Sequence, residues 1–508
     1  MRKIRVLFLG LIFISLFSFK AYGSDELGII PKPLECEKGV GEFIVNEETS
    51  IYVQGKNKEE TDELYNIGVL LQEKIYKGTG YNLNIIKWAK PSSGSIFLTT
   101  LDGRIGLGYE GYNLKVLEDS VHINGLKPEG VYRGIQTLIQ LLPPEIEGIK
   151  ESKNIKWNIP VLSIMDKPEY EYRGFMIDVA RHFFSVEEIK RQIDIASSYK
   201  INKLHLHLSD DRGFRLQIKK WPKLASIGGQ TEVGGGKGGY YTQEQFRDIV
   251  LYAKERYVEI IPEFDMPGHT NAMLASYEFL NPNGRRKESY TGTKVGFSSL
   301  MCRSEATYTI IEDIIKEVAE ISPSKYIHIG GDEANATSKE DYSYFIDRVS
   351  KIVLKYGKIP IGWDPVDTVT QLKTPIILQN WKDSNEDAKK KGMKMIISRA
   401  NKAYLDMKYD RETPYGTEWA GYNSIENAYN WDPTDFGPKT LLLGLEAPLW
   451  TETITNFEEL DYMIYPRLLG YAEIGWTPKE MRSFGEYKKR LEIHKRRLDL
   501  KGVNYYKG

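Results

Sequence analysis

Tyr326-Ile327-His328-Ile329-Gly330-Gly331-Asp332-Glu333 is the stretch from which the chain is best read. Apolar residues at 327 and 329 mark a short buried strand that runs into two glycines and then two adjacent carboxylates. Glycine has no Cβ, so the pair lets the backbone turn sharply or approach another group closely. The acids then sit at the C-terminal end of a strand, where parallel α/β folds and (β/α)8 barrels place their chemistry. Neighbouring side chains of an extended segment point opposite ways, so Asp332 and Glu333 are free to do different jobs. Taken alone, the pair serves equally well as a helix N-cap with favourable dipole charge. The surrounding sequence decides between the two.

From Lys167-Pro168 onward the pattern is strand, loop, helix, repeated. Strands are expected over 174–179, 203–208, 259–264, 326–329, 359–363, 375–380, 394–398 and 441–445. Helical spacing fills 186–199, 242–257, 307–321, 338–356 and 456–471. Eight strands alternating with helices predict a catalytic (β/α)8 barrel over 166–508, with a doubly wound open sheet as the alternative. A last helix, 484–500, is strongly basic on one side and reads as a solvated closing element. The glycines between 234 and 239 match neither the P-loop nor the dinucleotide spacing and read as a flexible loop.

Residues 24–165 mix short β-rich runs (50–53, 95–99), a hairpin pattern (112–116 and 120–123) and two helical stretches (60–76, 130–142), the second stopped by Pro143-Pro144. This is a smaller α+β domain without a catalytic constellation. Residues 1–23 combine a basic start, an apolar run from Val6 to Phe19 and a small-residue ending, which is the pattern of a cleaved secretory signal. The protein is therefore expected to be exported, with no membrane span in the mature chain.

The 508 residues are 41% hydrophobic and 27% charged, ordinary for a globular protein of two or three domains. Without the signal the chain carries 65 basic and 70 acidic residues, and no basic run points to nucleic acid. Two cysteines, Cys36 and Cys302, do not make a disulfide scaffold.

Chemistry-bearing residues collect at the expected strand ends. Arg173, Asp178, Arg181 and His182 belong to the first. His205, His207, Asp210 and Asp211 belong to the second, and Glu263, Asp265 and His269 to the third. Trp363 and Asp364, Trp381, Tyr404 and Asp406 follow, and then Glu446, Trp450 and Glu452. Five of the seven histidines fall in the first four clusters, far from an even scatter. Indoles stack on the apolar face of a pyranose, while carboxylates and a guanidinium hold its hydroxyls, so the set describes a carbohydrate pocket. The histidines also offer donors to a divalent metal, but no ligand pair has diagnostic spacing. No metal and no cofactor is expected.

These motifs, in order, resemble the β-N-acetylhexosaminidases of glycoside hydrolase family 20. The resemblance rests on Tyr172 to His182, Leu204 to Asp211, Ile261 to His269, His328 to Glu333, Tyr404-Leu405-Asp406 and Glu446 to Glu452. Glu110-Gly111-Tyr112 and Gly130 to Leu142 resemble that family's accessory domain.

The resemblance implies an exo-acting enzyme for terminal β-linked N-acetylhexosamine on a glycan or glycoconjugate. Its mechanism is retaining and substrate-assisted, with the sugar's own 2-acetamido oxygen as nucleophile. Glu333 is then the general acid and base, and Asp332 stabilises the charge on the acetamido group. Tyr404 binds the acetamido carbonyl, and Asp210 with His269 tunes Glu333, Asp211 being the substitute for Asp210. Trp363, Trp381 and Trp450 wall the acetamido pocket. Arg173, Asp406 and Glu452 hold the ring hydroxyls. Such chemistry asks for a raised pKa at Glu333 and an ionised Asp332.

The sequence departs from the family at Arg212-Gly213-Phe214, where Gln-x-Trp is usual, and at Gly444-Leu445, where two glycines are more common. A conventional glycosidase with a carboxylate nucleophile and a catalytically silent sugar-binding protein are the competing readings.

Overall fold

The computed structural model describes residues 27–148, 150–152, 154–370, 372–382 and 384–508; the expected signal segment lies outside them. Seven strands form the first sheet: β1 (Glu35–Ile44), β2 (Ser50–Gln54), β3 (Asn84–Lys87), β4 (Ser95–Thr99), β5 (Tyr112–Val116), β6 (Ser120–Gly125) and β7 (Asn158–Asp166). Their spatial order is β1-β7-β5-β6-β4-β2-β3. The expected hairpin is the antiparallel pair β5–β6. β6, β4, β2 and β3 run parallel; helix Lys58–Thr79 joins β2 to β3, and helix Pro128–Leu141 follows β6 on the way to β7. Leu64, Leu71, Ile135 and Leu138 of those helices pack with Ile51, Ile96 and Ile123 of the strands in one apolar core.

Eight further strands close a barrel: β8 (Tyr172–Asp178), β9 (Lys203–His207), β10 (Glu259–Glu263), β11 (Tyr326–His328), β12 (Ile359–Trp363), β13 (Ile377–Asn380), β14 (Met395–Ile397) and β15 (Leu442–Leu449). All neighbours are parallel, and β15 pairs with β8 to complete the circle. The closed ring settles the alternative of an open sheet.

The barrel interior is layered. Tyr172, Ile261, Tyr326, Ile361, Ile377, Ile396 and Leu443 fill its N-terminal floor. A buried polar layer of His205, Glu263, Gln379 and Glu446 lies above it. Met176, Trp363, Trp381, Tyr404 and Met407 cluster at the mouth.

This layering moves one expected site residue. Along β8, side chains alternate, with Tyr172 and Met176 inward and Phe175 and Ile177 packed among the surrounding helices. Arg173 shares the outward phase and lies five residues before Asp178, about 16 Å along the strand from the mouth. It is fully buried against the first domain. Its guanidinium forms a forked ion pair with Glu110, donates to Lys200 O and Tyr170 O, and lies 5.0 Å from the Trp476 ring. Arg133 joins the same carboxylate at 3.0 Å. Burial opposes ionisation of Glu110, but the two guanidiniums outweigh it and hold the carboxyl down at about 2. Arg173 therefore fastens the domains together and cannot reach a ligand at the mouth.

Two helices also differ from expectation. The stretch 456–471 is two helices, Phe457–Ile464 and Arg467–Trp476, because Pro466 has no N–H to continue the first. The closing helix Phe484–Leu500 is not simply solvated. Arg490 pairs with Glu473 at 2.6 Å and donates to Ile29 O, Arg497 donates to Gln140 O and Leu142 O, and His494 contacts Gly28 O. Part of its basic face is buried and ties the N-terminal segment to the barrel.

Removing one partner of a buried ion pair leaves the other uncompensated. Arg173→Met is expected to lower the unfolding free energy by about 3–5 kcal/mol in urea melts, with Glu110→Gln losing at least as much because it strands the buried guanidiniums of both Arg173 and Arg133. A loss below about 1 kcal/mol for Arg173→Met would be the behaviour of a solvent-screened pair and would contradict this reading.

Candidate active site

The two glycines of the opening stretch do what their lack of a side chain permits. Gly330 has φ +67, and a Cβ there would lie 1.7 Å from Asp265 Oδ1. Gly331 (φ +107) donates its N–H to that same oxygen at 3.0 Å. The strand is thereby clamped to the end of β10 just before Asp332 and Glu333. Glu333 itself has φ 44 and His269 has φ 53, an uncommon region for residues with a Cβ and one that clusters at functional sites. Asp265 is a member of the site that motif reading left without a role; its signal was its position between Glu263 and His269.

His269 links the carboxylates. Its Nδ1 lies 2.8 Å from Asp210 Oδ2 and 3.8 Å from Asp211 Oδ2, so Asp210 is its close partner. Its Nε2 lies 3.5 Å from Glu333 Oε2 and 3.7 Å from Asp332 Oδ2. Asp211 is used differently, accepting from Ser298 Oγ and Asn271 N–H. Burial opposes ionisation of Asp210, but Arg181, Arg212 and His269 outweigh it and hold the carboxyl well below its usual range. For His269 burial opposes protonation, and Asp210 and Asp265 raise it well above the ordinary imidazole value.

The guanidinium at the mouth is Arg181, which follows β8, rather than Arg173, the second residue of that strand. Arg181 pairs with Asp210 at 2.8 Å and Glu452 at 3.5 Å, and lies 4.8 Å from the Trp450 ring. Asp178 and His182 serve as framework: Asp178 accepts the Thr451 N–H, and His182 Nδ1 contacts Thr451 O. Together they fix the segment that carries Trp450 and Glu452.

The expected aromatic residues converge. Trp381 and Tyr404 lie 6.3 Å apart with rings 14° from parallel, Tyr404 and Trp450 are 6.3 Å apart, and Trp363 and Trp450 are 5.8 Å apart. The indole N–H groups are anchored, Trp363 to Glu263 and Trp381 to Asp364 O. Trp419 meets Trp381 and Tyr404 edge-on at 6.0 and 5.9 Å and is 56% exposed. It arrives on the loop after Asp406, far from any strand end, which is why a survey of strand ends passes it by.

Beneath the mouth, Glu263 accepts from Trp363 and contacts His207 and His205, while His205 Nδ1 contacts Glu446. Burial disfavours charging either histidine, but Glu446 and Glu263 outweigh it for His205, and Glu263 and Asp210 for His207; both are pushed up to about 10. His205, Glu263 and His328 bring ligand-type atoms within 4.8 Å, as do Asp210, Asp211 and His269. Most of these atoms already face one another as ion pairs.

The two central acids are not charged in the order the chemistry asks for. Asp332 is raised, first by burial and then by the charges of Glu333 and Glu263, with His269 opposing. Asp265 is raised well above its usual value by burial and by Asp332. Glu333 is less buried; burial raises it, but the facing His269, with Arg181 and Lys382, outweighs that and leaves it lowered. Asp332 Oδ1 and Asp406 Oδ1 are among the buried side-chain oxygens without a hydrogen-bond partner among the described residues.

Asp406 is pushed up to about 8 by burial and by the neighbouring charge of Glu452. A carboxyl-resolved NMR titration is expected to place its midpoint in that region, and Glu452→Gln is expected to move the midpoint down by removing the neighbouring anion. An unmoved midpoint would show that Glu452 does not act on it.

The sequence signature described as Glycosyl hydrolase family 20, catalytic domain, matches residues 170–479, and that of Glycosyl hydrolase family 20, domain 2, matches 26–167. The chain is 33% identical over 491 residues to a beta-N-acetylhexosaminidase of Cellulomonas fimi, covering 95% of this chain and 96% of that protein. The solved structure of the GH20 beta-N-acetylhexosaminidase from Streptomyces coelicolor superposes with a TM-score of 0.90 at 40% identity, covering 95% of this chain and 98% of the other. A mutant Streptomyces plicatus beta-hexosaminidase in complex with product (GlcNAc) matches with a TM-score of 0.90 at 41% identity over 95% and 97% of the two chains. This chain belongs to glycosyl hydrolase family 20.

Proposed function

We propose that the chain is an exo-acting β-N-acetylhexosaminidase that releases terminal β-linked N-acetylhexosamine with retention, using the substrate's acetamido oxygen as nucleophile. The observation that carries the reading is the buried Asp332 carboxylate, with Oδ1 unpartnered among the described residues and Tyr404 and the indoles nearby. A buried acceptor of this kind calls for a donor, and the acetamido N–H supplies one.

In this reading Glu333 gives its proton to the leaving oxygen as the acetamido oxygen attacks the anomeric carbon. The glycosidic C–O bond breaks and an oxazolinium ion forms. Asp332 accepts the N–H and offsets its positive charge, while the Tyr404 hydroxyl donates to the acetamido oxygen. Holding an internal nucleophile at the anomeric carbon lowers the entropic cost of attack. Glu333 then takes a proton from water, which opens the ring with net retention. Trp363, Trp381 and Trp450 wall the acetamido pocket; Arg181, Asp406 and Glu452 hold ring hydroxyls. The amino-terminal 23 residues direct export, so the substrate is met outside the cytoplasm.

Sugar binding also corrects the charge order. An N–H donated to Asp332 favours its anion, and a ring placed over Glu333 displaces water and favours its acid. Two outcomes follow. Because kcat/KM reports the free enzyme and kcat the complex, kcat/KM should fall with rising pH at a more acidic point than kcat does; coincident limbs would contradict the exchange. Glu333→Gln should lower kcat/KM for substrates with poor leaving groups about 10²–10⁴-fold while sparing kcat/KM for a dinitrophenyl substrate, and Asp332→Asn should weaken inhibition by an N-acetylglucosamine-derived thiazoline. Full activity in the Glu333 variant or unchanged thiazoline affinity in the Asp332 variant would overturn the roles.

A further inference from the structure

Arg212 stands where the family usually has glutamine, and it is 1% exposed at the edge of the site. A tight turn, with Asp210 N–H donating to Gly213 O at 2.8 Å, folds it back onto its own chain. Three of its donors are used. Nη1 reaches Asp210 Oδ1 at 2.8 Å, Nε reaches Gly292 O at 2.8 Å and Nη2 reaches Lys294 O at 2.9 Å. The guanidinium lies 5.2 Å from the centre of the Tyr290 ring, whose hydroxyl accepts the Lys294 N–H.

The two ends of this clamp lead to the same residue. On one side Asp210 holds His269 Nδ1, and His269 Nε2 faces Glu333. On the other, the segment after Lys294 passes over the Glu333 backbone: a Cβ on Gly296, at φ +75, would lie 3.2 Å from Glu333 O and 2.4 Å from Asn335 Nδ2. Glu333 is therefore approached through its side-chain partner and through its main chain, and Arg212 touches both supports. A glutamine has one amide group and cannot span a carboxylate and two carbonyls, whereas a guanidinium fork can.

We propose that Arg212 is a positioning residue for acid catalysis, holding Asp210–His269 and the 290–297 segment in the register that serves Glu333. The proposal rests on Glu333 being the acid. Its distinguishing consequence is selectivity by leaving group: a residue that aligns the acid matters most where the departing oxygen needs a proton, and least where it leaves unaided.

The test measures kcat/KM on aryl and alkyl β-N-acetylglucosaminides ranging from dinitrophenyl to an unactivated alcohol. Arg212→Gln is expected to lose little on the dinitrophenyl substrate and about tenfold or more on the unactivated one. In an Asp210→Asn background the same substitution should add little to that slope. Arg212→Lys keeps a cation but cannot span both carbonyls, and should fall between. A uniform loss across the series, or none, in whichever of the two variants retains the wild-type melting temperature overturns the proposal. Glu333→Gln is run beside them: if it fails to steepen the slope, the acid itself is misassigned, and if it steepens it while the Arg212 variants do not, only the positioning role falls.

Discussion

The approach of Gly330 to Asp265 fixes the geometry on which the site depends. With no room for a methyl group, the backbone leaving β11 seats its next N–H on the carboxylate that ends β10. Asp332 and Glu333 follow at once, so their positions are set by this backbone-to-carboxyl contact between the ends of adjacent strands rather than by a loop free to drift. The left-handed backbone at Glu333 and at His269 costs on the order of 1–3 kcal/mol per residue where such conformations persist. A closed barrel with a large apolar shell can carry that strain.

Below the mouth the barrel axis is charged, not oily. Glu263 and Glu446 are fully buried and face His205, His207 and Trp363. Such a network is costly unless each member is partnered; here it fixes Trp363 through its N–H and sets the floor under the aromatic pocket. It also places negative charge beneath Asp332. In the protein alone, burial first and then the charges of Glu333 and Glu263 push Asp332 towards its neutral form, while His269 draws Glu333 towards its anion. Catalytic protonation on this account is a property of the complex: the ligand's N–H and its exclusion of water supply what the empty geometry does not.

Much of this was legible in the sequence, because the eight buried strands, their helices and the residues at their C-terminal ends obey simple periodicities. What escaped did so for physical reasons. β1 of the first domain, with charged and glycine residues among its apolar ones, and β7, interrupted by Pro160 and Ser163, do not read as strands until paired. Arg173 and Arg181 belong to opposite ends of the same strand, and choosing between them required knowing which end of β8 opens at the mouth; a start at Tyr172 rather than Gly174 puts Arg173 at the closed end. The basic face of Phe484–Leu500 looked like a solvated one because sequence does not reveal that Glu473 and the carbonyls of Gln140 and Leu142 await it. Trp419 and Asp265 matter through neighbours remote in sequence. The clustering of histidines was informative: all five are buried at the barrel's centre or mouth.

The most direct test of the account compares initial rates on an aryl β-N-acetylglucosaminide and the matching aryl β-glucoside, which differ only in the 2-acetamido group. An internal nucleophile held by Asp332 and Tyr404 predicts a large preference for the acetamido sugar. Equal rates would remove the acetamido group from the mechanism and require a carboxylate of the protein to attack instead.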